Sequence, residues 1–173
     1  MKNTLKITSG QYRGRTIATP GDGTHPMGER ERLALFNMIS GNLPGAKVLD
    51  AFAGSGALGI EAMSRGAASV VFVEKNRRAA EVVRNNIREL GLENAKVICS
   101  DAGNFQSADL FDVILIDPPY DKFTEVNFLR LSDFLSDDGI LVLSHPGVAP
   151  TFDGLSLQKT RRYAGASISI YTR

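Results

Sequence analysis

From residue 47 onward, short apolar runs alternate with longer segments whose apolar residues recur every three or four positions. The runs at 47–51, 69–74, 96–100, 112–117 and 140–145 are rich in Val, Ile and Leu on both faces, as strands of a buried parallel sheet are. The spacing predicts helices over 57–65, 76–90 and 123–136. The second carries Ala79, Val83, Ile87 and Leu90 on one face and meets Gly91, a suitable C-terminal cap. The third carries Phe128, Leu131 and Leu135 and stops before Gly139. Two further strands, 155–163 and 166–172, lie too close together for a crossover helix and are expected to run antiparallel. Upstream, 5–18 alternates weakly around Ser9-Gly10 and Arg13-Gly14 and reads as a hairpin. A Gly/Pro-rich turn at 20–26 follows, and then a helix over 29–39 that places Leu35, Phe36 and Ile39 on one face.

The predicted fold class is therefore α/β: a doubly wound, Rossmann-like seven-stranded sheet with a C-terminal antiparallel hairpin and a small N-terminal β-hairpin extension. No repeat or low-complexity tract divides the chain. Residues 1–27 are expected to form the basic hairpin extension and 28–173 the main domain.

Composition narrows the class. The chain has 173 residues, a net charge of +1 and one cysteine, which cannot close an internal disulfide. His25 and His145 are its only histidines, and no Cys/His cluster has zinc-ligand spacing, so no metal is expected. The longest apolar runs are too short to span a membrane, and the first residues lack the apolar core of a signal peptide; a soluble cytoplasmic protein is expected. The near-neutral total hides a segregation of charge. Residues 1–40 hold six basic against three acidic residues, 154–173 hold four basic residues and no acid, and 100–138 hold nine acids against Lys122 and Arg130. Two basic ends around an acidic middle suit a polyanion-binding edge, and equally suit ordinary solvated faces.

The first strand of the alternating region runs into Asp50-Ala51-Phe52-Ala53-Gly54-Ser55-Gly56-Ala57-Leu58-Gly59. Gly54, Gly56 and Gly59 match the GxGxxG loop, and Glu74 ends the next strand at the distance expected for a carboxylate that accepts from ribose hydroxyls. The pattern alone fits nicotinamide, flavin and S-adenosylmethionine proteins, or a plain tight turn. Asp50 discriminates: a carboxylate there would repel a pyrophosphate and favour the ammonium and sulfonium of S-adenosylmethionine. Asp101, after the third strand, is placed to accept from an adenine amino group. Each acid singly also reads as a helix N-cap.

The fourth strand ends in Asp117-Pro118-Pro119-Tyr120. Two prolines fix the backbone and remove its donors, so that the Asp117 carboxylate and a neighbouring carbonyl can accept both hydrogens of an exocyclic amino group. Tyr120 offers a ring for a nucleobase to stack on. The plainer alternative is a tight turn closing a strand.

Together, Asp50-x-Phe52-x-Gly54-x-Gly56 and Asp117-Pro118-Pro119-Tyr120 resemble the class I S-adenosylmethionine-dependent methyltransferases that modify amino nitrogens of nucleic-acid bases. More narrowly, the chain resembles the bacterial 16S ribosomal RNA guanine-N2 methyltransferases of the RsmD family. The resemblance runs through 9–15, Leu35-Phe36-Asn37, 52–62 and 161–171. It implies catalysis by Asp117, Pro118 and Tyr120. It implies cofactor contacts from Asp50, Phe52, Gly54, Ser55, Gly56, Leu58, Glu74, Lys75, Asp101, Ala102 and Asp117, with S-adenosylhomocysteine as product. It also implies a 16S rRNA partner, naked or in an assembling small subunit, bound with help from Lys6, Arg13, Arg15, Arg30 and Arg32 and from Arg161 and Arg162. The two last-named arginines read equally well as solvated. Where the family usually has arginine, threonine and glutamate before and within the first helix, this chain has His25, Met27 and Leu33.

Two other functions fit less of the sequence. A DNA adenine-N6 methyltransferase shares the tetrapeptide, yet 173 residues leave little room for a sequence-reading region. A non-catalytic rRNA-binding assembly factor could retain the fold. Cys99 is expected to be a buried small hydrophobe, and His145, which ends a strand where it could touch the base, a structural or solvated residue.

Overall fold

The computed structural model describes residues 4–21, 27–120, 125–163 and 165–173. The turn residues 22–26, with His25, and the first two residues of the helix expected at 123 lie outside the described residues.

The alternating core pattern becomes a sheet because its strands carry branched apolar residues on both faces. The strands are β3 (Lys47–Asp50), β4 (Ser69–Val73), β5 (Ala95–Ile98), β6 (Phe111–Ile116), β7 (Leu135–His145), β8 (Ser156–Tyr163) and β9 (Ala166–Thr172). β1 (Thr4–Lys6) and β2 (Thr16–Ala18) pair antiparallel as a separate hairpin. The large sheet has the order β5-β4-β3-β6-β7-β9-β8. It is parallel from β5 to β7, and β9 enters antiparallel between β7 and β8, as the close spacing of the last two strands required.

Three helices, α1 (Glu29–Met38), α2 (Ala57–Ser64) and α3 (Arg77–Leu90), pack on one face. Leu35 and Phe36 of α1, Ile60 of α2 and Val83 of α3 join Val48, Val113, Leu115 and Val142 in that core. The alternate strand positions Leu49, Ile114, Leu141 and Leu143 face the other way, toward Phe128 and Leu131 of α4 (Glu125–Ser132). There Phe128 stacks on Phe152 at 3.8 Å between ring centroids, and Tyr171 meets both rings edge-on.

α4 is shorter than the periodicity implies. Leu135 belongs to β7, where it pairs with Phe111, and Gly139 lies within the strand. The register slips between Phe111 and Val113, and a Cβ at Gly139 would press on Leu135 and on the Ser136 backbone. The chain folds closely on itself there, so an apolar residue at helical spacing serves a strand instead.

The small hairpin is docked by buried polar groups as well as by Ile7 and Ile17, which enter the α1–α3 core. The Glu61 carboxylate on α2, 1% exposed, accepts from the Thr8 and Ser9 amides at 2.9 and 3.1 Å and from Arg65 Nε at 2.9 Å. Asn86 of α3 makes a reciprocal pair with the Ala18 backbone, both bonds 2.9 Å, and also donates to the Ser55 carbonyl at 3.0 Å. The hairpin, α2 and the glycine loop are thereby fixed to one another.

Candidate active site

The winding direction reverses at β3, which has β4 on one side and β6 on the other. Open α/β sheets bind ligands beyond the carboxyl ends of the strands at such a point. Asp50 is the last residue of β3, Glu74 follows β4, Asp101 lies just past β5 and Asp117 follows β6. The sheet thus brings the four predicted acids to one edge.

Between β3 and α2 the chain turns through Gly54 and Gly56, whose φ values of +55° and +82° suit only glycine without strain. A Cβ at Gly59 would collide with the Phe72 ring and with Val70, so the third glycine lets α2 lie directly on β4. The loop's amides are directed inward. Gly54 N–H donates to Glu74 Oε2 at 2.8 Å, Gly56 N–H to the Ala53 carbonyl at 2.6 Å and Gly59 N–H to Asp50 Oδ2 at 2.9 Å. A phosphate would find those donors taken and carboxylates beside it, whereas a cation meets a favourable field.

Asp50 sharpens the point. It is 1% exposed, and its Oδ1 is a buried acceptor with no hydrogen-bond partner among the described residues. Burial above all, with the charges of Asp117 and Glu74 adding to it, raises its pKa to about 7. An orphaned carboxylate oxygen in an anionic corner fits a ligand that carries an ammonium and a sulfonium. Glu74 Oε1 also accepts from Asn76 N–H at 2.8 Å, which leaves one lone pair on each oxygen for further donors. Asp101 caps the short 3₁₀ turn Ala102–Asn104 through Gly103 N–H at 2.9 Å, while its Oδ2 stands 3.8 Å from Lys75 Nζ. The capping role and an exposed carboxylate coexist there. Ser55, Leu58 and Ala102 are buried, whereas Phe52 is half-buried against the α4-side core.

Asp117 sits half-buried in an apolar recess made by Met27, Leu35, Leu58, Leu115 and Val142. This desolvation lifts its pKa to about 6, against the opposing hydrogen bond from Ser144. Ser144, buried on β7, also shares a 2.9 Å hydrogen bond with the Tyr120 hydroxyl. Ser144 therefore fixes the Tyr120 hydroxyl and lies beside the Asp117 carboxylate. Pro118 is buried, while Pro119 and Tyr120 are exposed, Tyr120 by 39%. Ser144 does not stand out in the sequence, and Met27 and Leu35 stand out there only as a departure from the family pattern and as an apolar helix position. Ser144 faces Asp117 because Ile116 pairs with Leu143, a register that no local pattern reveals.

The basic residues separate into three groups. Lys6, Arg13, Arg15 and Arg30 are exposed, and Arg15 Nη2 donates to the Glu89 carbonyl at 3.3 Å. Arg161 and Arg162 are exposed on β8, in register with Ile168 and Ser167, which pair with Ser144 and His145. They stand on the same sheet edge as Asp117. Arg32 departs from expectation: it is 1% exposed, lies 3.7 Å from Glu61 and donates to the Lys6 carbonyl at 2.6 Å. A guanidinium enclosed in that way holds the hairpin and has no face for RNA.

Cys99 also corrects the sequence reading. It lies one residue beyond β5 and is exposed. His145 is structural, as expected: it is 2% exposed, with Nε2 2.8 Å from Ser169 Oγ. Among the described residues, no group of three or more His, Cys, Asp and Glu is placed to hold a metal ion, and no helix is long and apolar enough to cross a membrane.

Comparison with known proteins completes the picture. The sequence pattern of the family described as "Conserved hypothetical protein 95" matches residues 5–172. The Escherichia coli K12 protein "Ribosomal RNA small subunit methyltransferase D" is 34% identical over 143 residues, which span 79% of this chain and 72% of that one. YlbH of Bacillus subtilis, provisionally named an rRNA methyltransferase, is 32% identical over 182 residues, 98% of this chain and 99% of that one. The solved structure of Escherichia coli yhhF, provisionally named a methyltransferase, superposes with a TM-score of 0.89 at 29% identity and covers 99% of this chain and 98% of that one.

Proposed function

Because the chain belongs to the RsmD family of ribosomal RNA methyltransferases, we propose that it methylates the exocyclic N2 amine of a guanine in 16S ribosomal RNA. One observation carries the reading: at the end of β6 an Asp117 carboxylate, beside Ser144 in an apolar recess, adjoins a glycine loop lined by acids instead of free amides. The name of the Escherichia coli relative supports the small-subunit RNA as substrate. In this reading residues 28–173 carry the transfer, and 1–27 add RNA-facing charge and the Met27 wall of the recess.

The protein uses S-adenosylmethionine, whose sulfonium makes the methyl group electrophilic. Asp50, Glu74 and Asp101 would hold it with the Gly54–Gly56 backbone, and the orphaned Asp50 Oδ1 answers its positive charge. The N2 lone pair of guanine is delocalised into the ring and makes a poor nucleophile. The Asp117 carboxylate and the Pro118 carbonyl accept its two N–H groups, orient the lone pair and stabilise the positive charge that develops on nitrogen. Tyr120, its hydroxyl fixed by Ser144, presents its ring to the base. After transfer the surplus proton leaves to Asp117 or to water.

Nucleoside mass spectrometry of ribosomal RNA from cells with and without the gene tests the proposal. N2-methylguanosine should fall in 16S rRNA, and purified protein with S-adenosylmethionine should restore it. Loss of N6-methyladenine from DNA, or an unchanged rRNA profile, would refute it.

The raised pKa of Asp117 also sets a pH dependence. The carboxylate must be ionised to accept from the amine, and it protonates near pH 6 instead of near 4. With saturating S-adenosylmethionine, kcat/KM for RNA should be flat above pH 7 and fall about tenfold for each unit below pH 6. A profile flat down to pH 5 would remove Asp117 from the reaction.

A further inference from the structure

The RNA-facing arginines of the hairpin lie far from the methyl-transfer edge, and α3 spans the gap. Arg77 lies just three residues past Glu74, at the edge where the glycine loop is held. α3 then runs back along the sheet to Glu89, whose carbonyl accepts from Arg15 of the hairpin. At 1.5 Å per residue, Arg77 and Arg88 are roughly 17 Å apart along the helix axis.

Along that length Arg77, Arg84 and Arg88 recur at seven and then four residues, which places them on one face. Arg77, Arg78 and Arg84 line a surface concavity of about 680 Å³ with Glu81 and Cys99. Glu81, the one acid among its described lining residues, is paired to Arg84 at 3.2 Å. Arg88 is held by Asn85 at 3.2 Å, and among the described residues neither Arg77 nor Arg78 has a carboxylate within ion-pair distance. Beyond Arg88 the row ends at Arg15. No step of the proposed transfer employs these arginines.

A single small anion needs one cluster of donors. A row of guanidinium groups running from the hairpin to the site edge suits a ligand whose negative charge repeats along its length, and arginine binds phosphate oxygens in bidentate fashion. β4 and β6 are two strand spacings, roughly 10 Å, apart, so a chain seated on this row ends within a few nucleotides of Asp117. We propose that the exposed face of α3, through Arg77, Arg78, Arg84 and Arg88, is a track for the phosphate backbone of the substrate RNA, continuing from Arg15 to the edge where the base is methylated. This inference rests on the RNA substrate proposed above and extends it to an element outside the sequence-predicted interface.

The test is binding of in-vitro-transcribed 16S rRNA, and of small-subunit particles, by the Arg77→Gln/Arg84→Gln/Arg88→Gln variant over a range of salt. A second triple variant, Lys47→Gln/Lys96→Gln/Arg130→Gln, removes equal charge elsewhere. The α3 variant should bind rRNA at least about tenfold more weakly, and the slope of log K against log salt should flatten by about two. Its S-adenosylmethionine affinity by calorimetry and its turnover at saturating RNA should match wild type, which also verifies folding. An unchanged slope, or an equal loss in the second variant, would overturn the track. So would a loss confined to protein-bearing particles with naked rRNA bound normally, which would assign the face to an acidic protein. If wild-type protein methylates rRNA and the α3 variant binds it unchanged, only this inference fails; if wild type neither binds nor methylates rRNA, the substrate reading fails and takes the track with it.

Discussion

Asp117→Ala is expected to lower turnover on small-subunit RNA by about a thousandfold or more while S-adenosylmethionine binding changes by no more than a few-fold. The magnitude follows from two losses. The amine loses the acceptor that orients its lone pair, and the charge that develops on nitrogen loses its nearest counter-charge; each is worth about ten- to a thousandfold when water is excluded. Cofactor affinity is spared because Asp50, Glu74 and Asp101 remain. Single-turnover rates paired with calorimetry separate the two effects, and near-normal turnover with cofactor bound would discard the assignment.

The same position carries a stability signature. The folded-state pKa of Asp117, about 6, lies above its unfolded value. Its ionised form therefore costs native stability, and the cost grows from about pH 4, where the unfolded carboxyl ionises, to about pH 6, and is complete above that. Asp117→Asn, nearly equal in shape and neutral, should melt at or above wild type at pH 8, keep part of that advantage at pH 5 and lose it only at about pH 4 and below. An inactive variant that gains stability with pH is the mark of a residue retained for chemistry at a structural cost.

The alternating strands, the glycine loop and the acids at the strand ends were legible because each leaves a local trace: β-branched runs, glycine spacing and a carboxylate at the end of an apolar run. The antiparallel entry of β9 was legible too, since the gap between 163 and 166 holds no helix. What the sequence hid depends on contacts between distant elements. Ser144 matters only because β7 lies in one particular register beside β6. Met27 and Leu35 wall the recess because α1 packs on that face of the sheet, with its Arg32 bonded to the Met27 and Lys6 carbonyls. Leu135 kept helical spacing yet belongs to a strand, because a tight irregularity precedes Ile140. Charge misled most. Arg32 follows exposed Arg30 by two residues, and that step turns it from solvent into the core beside Glu61.

Glu61→Ala should destabilise the protein by about 3–5 kcal/mol and lower Tm by roughly 10 °C, although residue 61 lies outside the reacting groups. The carboxylate is the acceptor for the Thr8 and Ser9 amides, the partner of Arg65 and the counter-charge of buried Arg32. Burial already lowers the Arg32 pKa, and Glu61 is the first opposing influence. Removing the acid leaves a guanidinium 1% exposed whose acceptors among the described residues are the Lys6 and Met27 carbonyls. The hairpin should loosen first, so amide exchange should rise over residues 4–18 before it rises in β3 or β6. Arg32→Met in the Glu61→Ala background should recover part of the loss, because removing both charges relieves the stranded one. Activity should fall with hairpin docking, since Arg32 also holds the Met27 carbonyl and thereby one wall around Asp117. A Tm within about 2 °C of wild type, or a double variant no more stable than Glu61→Ala, would show that the buried pair does not hold the hairpin in place.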